Sequence, residues 1–373
     1  PAVLKRKREV VEEFRSGWSK KFDGKVDVHR ARARFIGPKQ IAAGERTLEG
    51  TRIFIDTGSA PAIPPIEGLD KVPYLTNLSL LELAELPEHL LVLGGGYVGL
   101  EFGQMFRRFG SAVTVVQRAA RILANEDDDI TAELQKNLEA EGIKFLLNGR
   151  ATKVTRNGKQ IRLTAQGAGG EQTLSGSHLL VAAGRTPQTK DLDLEKTGVR
   201  TDSNGYVVVN DRLETTAADI WALGDVNGGP AFTHISYNDY QIVYGNLYEG
   251  KNLSTKTRLV PYAVYTDPAL GRVGLTEKAA RAQGKRLKIG KVPMTHVARA
   301  IERSETAGLM KLVVDADTDH ILGAAILAVE GSETVQVLST LMLAERPYTL
   351  LKGAIYIHPT LAEGFFGLMD SVK

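Results

Sequence analysis

Three glycines, Gly94, Gly96 and Gly99, form a G-x-G-x-x-G pattern directly after an apolar run at residues 90–93. A segment with helical spacing follows, and a second apolar run occupies residues 113–116. Strand, glycine turn, helix and strand make a βαβ unit whose helix N-terminus binds the diphosphate of a dinucleotide. Gly94 makes the tight turn, Gly96 lets the backbone approach the phosphates, and Gly99 lets the helix pack on the strand. We predict a nucleotide-binding loop, against the alternative of a turn that only joins strand to helix.

The residues that end the second strand decide which nicotinamide cofactor is preferred. An acidic residue there binds the ribose 2′-hydroxyl of NAD, whereas this strand ends in Gln117 and Arg118. Arginine pairs well with phosphate oxygens. Arg118, with Arg121 as a second contact, therefore favours the 2′-phosphate of NADP(H) over NAD(H). The alternative is that both arginines are solvated surface charges.

Polar or glycine residues follow three further strand-like runs. Asp225 comes after residues 219–223, Gly184 comes after residues 179–183, and Thr-Gly-Ser at 57–59 ends the last of several short β-type runs. Ligands of open α/β sheets bind beyond the carboxyl ends of strands, and glycine there permits close backbone approach. For Asp225, a cap of the following turn is the alternative.

His358 and Glu363 bracket Pro359 near the C-terminus. Proline suits the first turn of a helix, so we expect the two side chains to meet there. A histidine held by a carboxylate is a suitable general base near neutral pH. From these residues alone, a structural histidine is the alternative.

The composition limits the classes of function. The 373 residues are 43% hydrophobic with a net charge of +3, which predicts two or three globular domains and no nucleic-acid partner. No apolar run is long enough for a bilayer, and the first residues carry charges where a signal peptide needs its hydrophobic segment, so we expect no membrane partner and a cytoplasmic location. The absence of cysteine excludes disulfides, thiolate metal sites and thiol redox chemistry in this chain, and we predict no metal site.

The elements that must position these residues are readable from periodicity. Residues 4–22 predict an amphipathic helix with a buried stripe of Val11, Phe14, Trp18 and Phe22. A proline-rich linker near residues 60–68 leads into the βαβ unit. Residues 129–141 predict a helix, and Asn157-Gly158 predicts a two-residue hairpin turn. From residue 256 onward the pattern is α+β.

Together these motifs resemble the pyridine nucleotide–disulfide oxidoreductases, the flavoprotein family of dihydrolipoamide dehydrogenase, glutathione reductase and mercuric reductase. The similarity rests on TGS at 57–59, the Gly94 pattern with Glu101, AAGRTP ending at Pro187, DIWALGDV with Asp225, PYAVYTDPALGRVGLTEKAA from Pro261 and HPTLAEGF from His358. It implies an α/β fold with a Rossmann-like NAD(P)-binding domain (73–187) inserted in a partial FAD-binding domain (1–72 and 188–255). A C-terminal α+β dimerisation domain (256–373) follows.

The resemblance also implies roles for single residues. Asp225 would bond the FAD ribityl chain, Gly184 would touch the nicotinamide nucleotide, and Glu101 would lie near the nicotinamide end. His358 with Glu363 would be the base pair that serves the partner subunit's redox disulfide in a homodimer. The residues implied to line the flavin are Thr57, Gly58, Ser59, Ala231, Phe232, Thr233 and His234, and those implied to hold the nucleotide are Gly94, Gly96, Tyr97, Val98, Gly99, Gln117 and Arg118.

Two family features are missing from this sequence. It has a single dinucleotide pattern, without the first one that binds the ADP half of FAD, and it has no redox cysteine pair. We therefore expect a shortened family member with weakened FAD binding, whose reaction by family is hydride transfer from NADPH to flavin and on to a disulfide or another acceptor. A catalytically inactive dimeric NADP(H)-binding remnant and one part of a split enzyme stay open as alternatives. The sequence does not identify the acceptor.

Overall fold

The computed structural model describes residues 1–22 and 24–373. The chain forms two compact units. The first unit contains Pro1–Ala62, Leu78–Glu85 and Arg185–Arg258. The second contains Ile63–Asn77, Leu86–Gly184 and Leu259–Lys373.

The helices and strands are as follows. The α-helices are α1 (Ala2–Phe22), α2 (Asn77–Leu80), α3 (Tyr97–Arg108), α4 (Asp128–Ala140), α5 (Thr233–Tyr248), α6 (Glu277–Ala282), α7 (Ala298–Glu302), α8 (Gly331–Leu343), α9 (Thr349–Lys352) and α10 (Gly364–Asp370). The strands are β1 (Ala33–Gly37), β2 (Gln40–Ala43), β3 (Arg46–Glu49), β4 (Ile53–Ile55), β5 (Ser59–Pro61), β6 (His89–Leu93), β7 (Ala112–Val116), β8 (Lys144–Leu146), β9 (Arg150–Asn157), β10 (Gln160–Gly167), β11 (Gly170–Gly176), β12 (His178–Val181), β13 (Arg185–Pro187), β14 (Ile220–Ala222), β15 (Tyr262–Val264), β16 (Ala269–Gly274), β17 (Leu287–Pro293), β18 (Leu309–Asp315) and β19 (Ile321–Ala328). Short 3₁₀ helices cover Leu69–Lys71, Leu194–Lys196, Gly224–Asn227 and Met294–His296.

The first unit pairs strands that are far apart in the sequence. β4 lies parallel to β14, and β5 lies antiparallel to β13, while β1, β2 and β3 form an antiparallel meander. Phe35, Ile55 and Ile220 are buried in one apolar cluster of this unit. These pairings bring the segment after β4 beside the segment that starts at Arg185.

The N-terminal helix confirms the predicted helix but not its predicted buried stripe. Val11, Phe14, Trp18 and Phe22 are 37%, 68%, 56% and 47% exposed, so the prediction of burial is wrong. Helical spacing of apolar residues identifies one face of a helix, but burial also requires a second element that packs on that face. In the structure that face is open to solvent, and Lys7 and Arg8 on the same helix form ion pairs with Glu82.

The second unit begins with a parallel sheet in the order β12-β6-β7-β8. One face of this sheet packs against the antiparallel sheet of β9, β10 and β11, where Leu91 and Leu93 share a buried cluster with Leu163. Helix α3 covers the opposite face, and a Cβ on Gly103 would lie 3.6 Å from Val113 Cγ1. The predicted helix at 129–141 is confirmed as α4.

The hairpin between β9 and β10 is confirmed, but its turn is one residue later than predicted. Asn157 pairs with Gln160, so the two turn residues are Gly158 and Lys159. Gly158 takes the left-handed conformation, with φ of 61°. Register in a hairpin is fixed by cross-strand pairing as well as by the turn dipeptide, which explains the shift.

The C-terminal part of the second unit is a five-stranded antiparallel sheet in the order β15-β16-β19-β18-β17. Its core includes Leu312, Ile326, Leu338 and Phe365, all with no exposed surface. We predicted that Pro359 lies in the first turn of a helix, and this prediction is wrong. Helix α10 starts only at Gly364. The intervening residues are held by hydrogen bonds of Thr360 with Ile357 and Glu363.

A group of charged side chains is buried in the second unit, and we call it the buried ion network. Arg272 in β16 and Lys311 in β18 lie on the two sides of β19 and are 0% and 2% exposed. Arg272 Nε lies 3.6 Å from Glu126 Oε2, and Lys311 Nζ lies 3.5 Å from Asp127 Oδ2 and 3.0 Å from Asp129 Oδ1. Buried charges need such partners, so the network fixes the end of the preceding segment and the first turn of α4 to the C-terminal sheet. Across residues 1–22 and 24–373, no helix combines the length and apolar character that crossing a membrane requires.

Candidate functional site

The three glycines after β6 build a loop from backbone alone, and we call residues 94–99 the nucleotide loop. Gly94 has φ of 117°, and a Cβ there would lie 2.3 Å from the carbonyl oxygen of Ala182. A Cβ on Gly99 would lie 2.1 Å from the carbonyl oxygen of Gly94, which explains the close packing of α3. On Gly96 it would meet no atom within 4 Å. The space in front of Gly96 is therefore open at the N-terminus of α3, which fits a diphosphate.

The end of β7 carries the side chains predicted to choose the cofactor. Gln117 accepts a 3.4 Å hydrogen bond from Gly95 N and donates to the Arg121 carbonyl oxygen at 3.1 Å. Arg118 is exposed, and among the described residues it has no hydrogen-bond or ion-pair partner. Arg121 instead forms an ion pair with Asp128, the first residue of α4. Arg118 is thus available to a ligand, whereas Arg121 already has a partner.

Two further predicted nucleotide contacts lie on α3 and after β12. Tyr97 and Val98 form the first turn of α3 and are half-buried. Glu101, one turn further, accepts a 2.8 Å hydrogen bond from Tyr265 N, and burial raises the pKa of its carboxyl group. Gly184 has φ of 126°, so this position suits glycine.

In the first unit, Ser59, Arg185 and Asp225 meet, and we call these three residues the Asp225 site. The Ser59 hydroxyl donates to Asp225 Oδ2. Arg185 donates to Ser59 Oγ at 2.6 Å and to the Ser59 carbonyl oxygen at 2.9 Å, and its Nε lies 3.3 Å from Asp225 Oδ2. The Asp225 carboxylate is therefore bound by the Ser59 hydroxyl and by the Arg185 guanidinium, which both come from other segments of the chain.

The residues around the Asp225 site fix its backbone. Thr57 donates to the Gln188 carbonyl oxygen at 2.8 Å, and Gln188 donates back to the Thr57 carbonyl oxygen at 2.7 Å. Gly58 has φ of 68°, and a Cβ there would meet no atom within 4 Å. An open backbone face beside hydroxyl, carboxylate and guanidinium groups fits a polyhydroxyl chain such as the ribityl of FAD.

The start of α5 lies in the same unit. Ala231 and Phe232 precede the helix and Thr233 and His234 open it, with the rings of Phe232 and His234 stacked at 5.4 Å between centroids.

A buried carboxylate anchors the turn that carries Asp225. Asp239, in the middle of α5, is 1% exposed and accepts from Gly224 N at 2.9 Å while pairing with Arg258. Burial, together with the carboxylates of Asp239 and Asp225, raises the pKa of Asp56. The carboxylates of Asp225 and Asp239 therefore act electrostatically on Asp56, which follows β4.

His358 and Glu363 meet as predicted. His358 Nδ1 lies 3.0 Å from Glu363 Oε1 and 3.1 Å from Oε2, and Thr360 N donates to Oε2 at 3.0 Å. The hydrogen bond to Glu363 raises the pKa of His358, and the same bond lowers the pKa of Glu363. The His358 side chain is 69% exposed.

Sequence reasoning did not single out Arg185, Asp128 or Asp239. Arg185 was visible as the residue after Gly184 in the GRTP segment, but only the pairing of β5 with β13 brings it to Ser59. Asp128 stands in the acidic run at 126–129, and the sequence does not tell which of its members are buried. Asp239 looks like an ordinary polar residue of an amphipathic helix.

Comparison with known families agrees with this arrangement. The family model of pyridine nucleotide-disulphide oxidoreductases matches residues 2–239, and that of the family's dimerisation domain matches residues 260–367. The chain belongs to this family. The predicted α/β fold class is thereby confirmed, and the family is one of flavoprotein oxidoreductases that use a pyridine nucleotide.

Several relatives are similar over most of this chain. RclA from Escherichia coli is 37% identical over 100% of this chain and 85% of its own length. The solved structure of this HOCl-induced flavoprotein disulfide reductase has a TM-score of 0.93 at 36% identity, covering 99% of this chain and 85% of that one. The mercuric reductase of Staphylococcus aureus is 36% identical over 83% of this chain, which spans only 56% of that enzyme's length.

Proposed function

We propose that this chain binds NADP(H), in preference to NAD(H), at the nucleotide loop and acts in an FAD-dependent oxidoreductase. The observation that carries the proposal is the open space in front of Gly96, combined with Arg118 just after β7, which has no partner among residues 1–22 and 24–373. A flavin and a pyridine nucleotide held by these residues would supply the hydride and electron transfer of the family's reaction.

The residues of the second unit have separate tasks in this proposal. The backbone at Gly94, Gly96 and Gly99, with the first turn at Tyr97 and Val98, binds the diphosphate. Gln117 holds the loop and Arg118 binds the 2′-phosphate, since a guanidinium forms charge-assisted hydrogen bonds with phosphate oxygens. Glu101 and Gly184 border the nicotinamide end.

The residues of the first unit would hold FAD. Asp225 offers a carboxylate acceptor to ribityl hydroxyls, and Arg185 and Ser59 keep that carboxylate oriented. Residues 57–59 and 231–234 would line the flavin ring. Because the sequence has a single glycine-rich dinucleotide loop, we propose that this chain alone holds FAD weakly.

His358 and Glu363 would act as a base pair toward an acceptor. Glu363 orients the ring through Nδ1, which leaves the other nitrogen to take or give a proton. We propose a homodimer through residues 256–373, in which this pair serves the partner subunit, with a disulfide or another small molecule as acceptor. The cytoplasmic location stays a prediction.

The test uses the full purified chain. Calorimetric titration with NADPH and NADH reports the preference without any flavin, and the difference between the visible spectra of FAD with and without the chain reports flavin binding. We expect NADPH to bind more tightly than NADH and the spectrum of FAD to change when the chain is added. Equal affinity for both nucleotides would contradict the preference, and an FAD spectrum that the chain leaves unchanged would contradict catalysis by this chain.

A second candidate function is a dimeric protein that binds NADP(H) without transferring electrons. The observation that favours it is the absence of cysteine, since the family's disulfide chemistry has no thiol here. NADPH binding without any turnover of an artificial electron acceptor in the presence of FAD would support this candidate. FAD-dependent turnover would exclude it.

A further inference from the structure

Two arginines that follow β7 differ in whether they have an ion-pair partner. Arg118 is exposed and has no partner among the described residues, whereas Arg121 is bound to Asp128. Both are within a few residues of Gln117, where the family's cofactor choice is made. Only one of the two cations is therefore free to meet an incoming phosphate.

The backbone of Arg121 is attached to the nucleotide loop. Leu123 N donates to the Gly95 carbonyl oxygen at 2.9 Å, and Gln117 joins the Arg121 carbonyl oxygen to Gly95 N. The turn that carries Arg121 thus runs beside the loop expected to bind the diphosphate. An arginine on such a turn is positioned for a second phosphate contact unless another group holds it.

Asp128 is held in place by its neighbours. Asp127 and Asp129 point into the buried ion network, where Lys311 Nζ lies within 3.5 Å of a carboxylate oxygen of each. Asp128, between them, is 77% exposed and is the partner of Arg121. Because both flanking residues are fixed, Asp128 stays close to Arg121.

We propose that Asp128 is a specificity-determining residue that weakens the preference of the site for NADP(H). Its carboxylate competes with the 2′-phosphate for the guanidinium of Arg121. NAD(H) has no 2′-phosphate and is unaffected by this competition. The inference rests on the proposed binding of the nucleotide at residues 94–99.

The test is Asp128→Asn, which removes the charge and keeps the shape of the side chain. Calorimetric titrations of the full chain would use 2′,5′-ADP and 5′-AMP, which differ only in the 2′-phosphate, and then NADPH and NADH. We expect 2′,5′-ADP and NADPH to bind about threefold to fivefold more tightly to the variant, the size of one exposed charge pair. 5′-AMP and NADH should change less than about twofold.

Matched variants separate the ion pair from a general charge effect. Glu139→Gln removes the same charge from an exposed position of α4 and should leave all four affinities unchanged. In the double variant Arg121→Gln with Asp128→Asn, the gain should disappear. An unchanged affinity for 2′,5′-ADP in Asp128→Asn, or a gain that persists in the double variant, would overturn the inference.

The outcomes also separate this inference from the proposed function. If Arg118→Gln weakens NADPH binding while Asp128→Asn changes nothing, the NADP(H) site stands and the role of Asp128 is wrong. If no nucleotide binds to the wild-type chain, both fail. Thermal unfolding of each variant checks that the fold is intact.

Discussion

The nucleotide loop lies within one continuous βαβ stretch, whereas the Asp225 site combines three stretches that are distant in the sequence. Gly94, Gly96 and Gly99 act through their backbone and through the absence of side chains. Ser59, Arg185 and Asp225 act through side-chain charges and hydrogen bonds across 126 and 166 residues of separation. A local site of the first kind is visible in a sequence motif, while a site of the second kind becomes visible only when the strands pair.

The largest expected effect distinguishes two glycines within the nucleotide loop. Gly99→Ala should lower the free energy of unfolding by about 3 kcal/mol, because its Cβ would lie 2.1 Å from the Gly94 carbonyl oxygen. Gly96→Ala should leave stability within about 0.5 kcal/mol but weaken NADPH binding at least about tenfold, since its methyl group occupies the open space. Urea unfolding and calorimetry measure the two effects. Equal stability of both variants would contradict a loop built by close packing.

The Asp225 site should respond to loss of a charge. Asp225→Asn keeps the shape but removes the carboxylate that pairs with Arg185, so FAD affinity should fall by about 1.5–2 kcal/mol, or more than tenfold. Nucleotide affinity should not change. Quenching of flavin fluorescence measures FAD binding, and Asp219→Asn, an exposed partner of Lys39, is the control. Equal FAD affinity in wild type and Asp225→Asn would show that the carboxylate does not hold the flavin.

A smaller effect is expected at Arg118, a side chain after β7 that we propose contacts the nucleotide. Arg118→Gln should weaken NADPH binding about fivefold to tenfold by loss of one charge-assisted contact, with NADH binding within about twofold of wild type. Arg162→Gln, at an exposed position of β10, is the control for net charge. A parallel loss for both nucleotides would mean that Arg118 does not read the 2′-phosphate.

The smallest effect concerns the pH dependence of the His358–Glu363 pair. Like the nucleotide loop, this pair is formed by residues close together in the sequence, but it acts through side chains. Glu363→Gln should return the pKa of His358 toward its usual 6.5, as observed by NMR titration of the ring protons. The contribution of the pair to stability is present in full between pH 4.5 and 6.5, the ordinary pKa values of Glu363 and His358, and is lost as pH rises through the raised pKa of His358. On the acid side it is lost as pH falls through the lowered pKa of Glu363.

The control for this titration is Glu302→Gln, because Glu302 contributes less to the pKa of His358 than Glu363 does. It should lower the pKa of His358 by a smaller amount. A larger shift with Glu302→Gln than with Glu363→Gln would show that the hydrogen bond is not the main cause.

Much of the βαβ unit was predictable because its signals are local. The apolar run before Gly94 becomes β6, and the helical spacing after it becomes α3. The same reasoning failed for the apolar face of α1, since exposure depends on other elements rather than on spacing. The prediction of a helix start at Pro359 was also wrong. Hydrogen bonds between Thr360 and Glu363 order that segment, and the helix begins only after it.

The site residues divide in the same way. The contact of His358 with Glu363 was predicted from a helix start at Pro359, and the structure confirms the contact but not the helix start. The link of Arg185 to Ser59 depends on β5 pairing with β13, and the sequence contains no pattern for that pairing. Which of Asp127, Asp128 and Asp129 faces solvent depends on cations contributed by distant strands. Burial and long-range pairing are therefore what the sequence left undetermined.

The buried ion network limits how parts of this protein can be exchanged with those of its relatives. A chimera that replaces residues 86–184 alone, with a segment lacking Glu126 and Asp127, would leave Arg272 charged in the interior without its ion-pair partners. Such an unpaired buried charge costs about 3–5 kcal/mol. A chimera must therefore exchange residues 86–184 and the C-terminal sheet together, so that each buried charge keeps its partner.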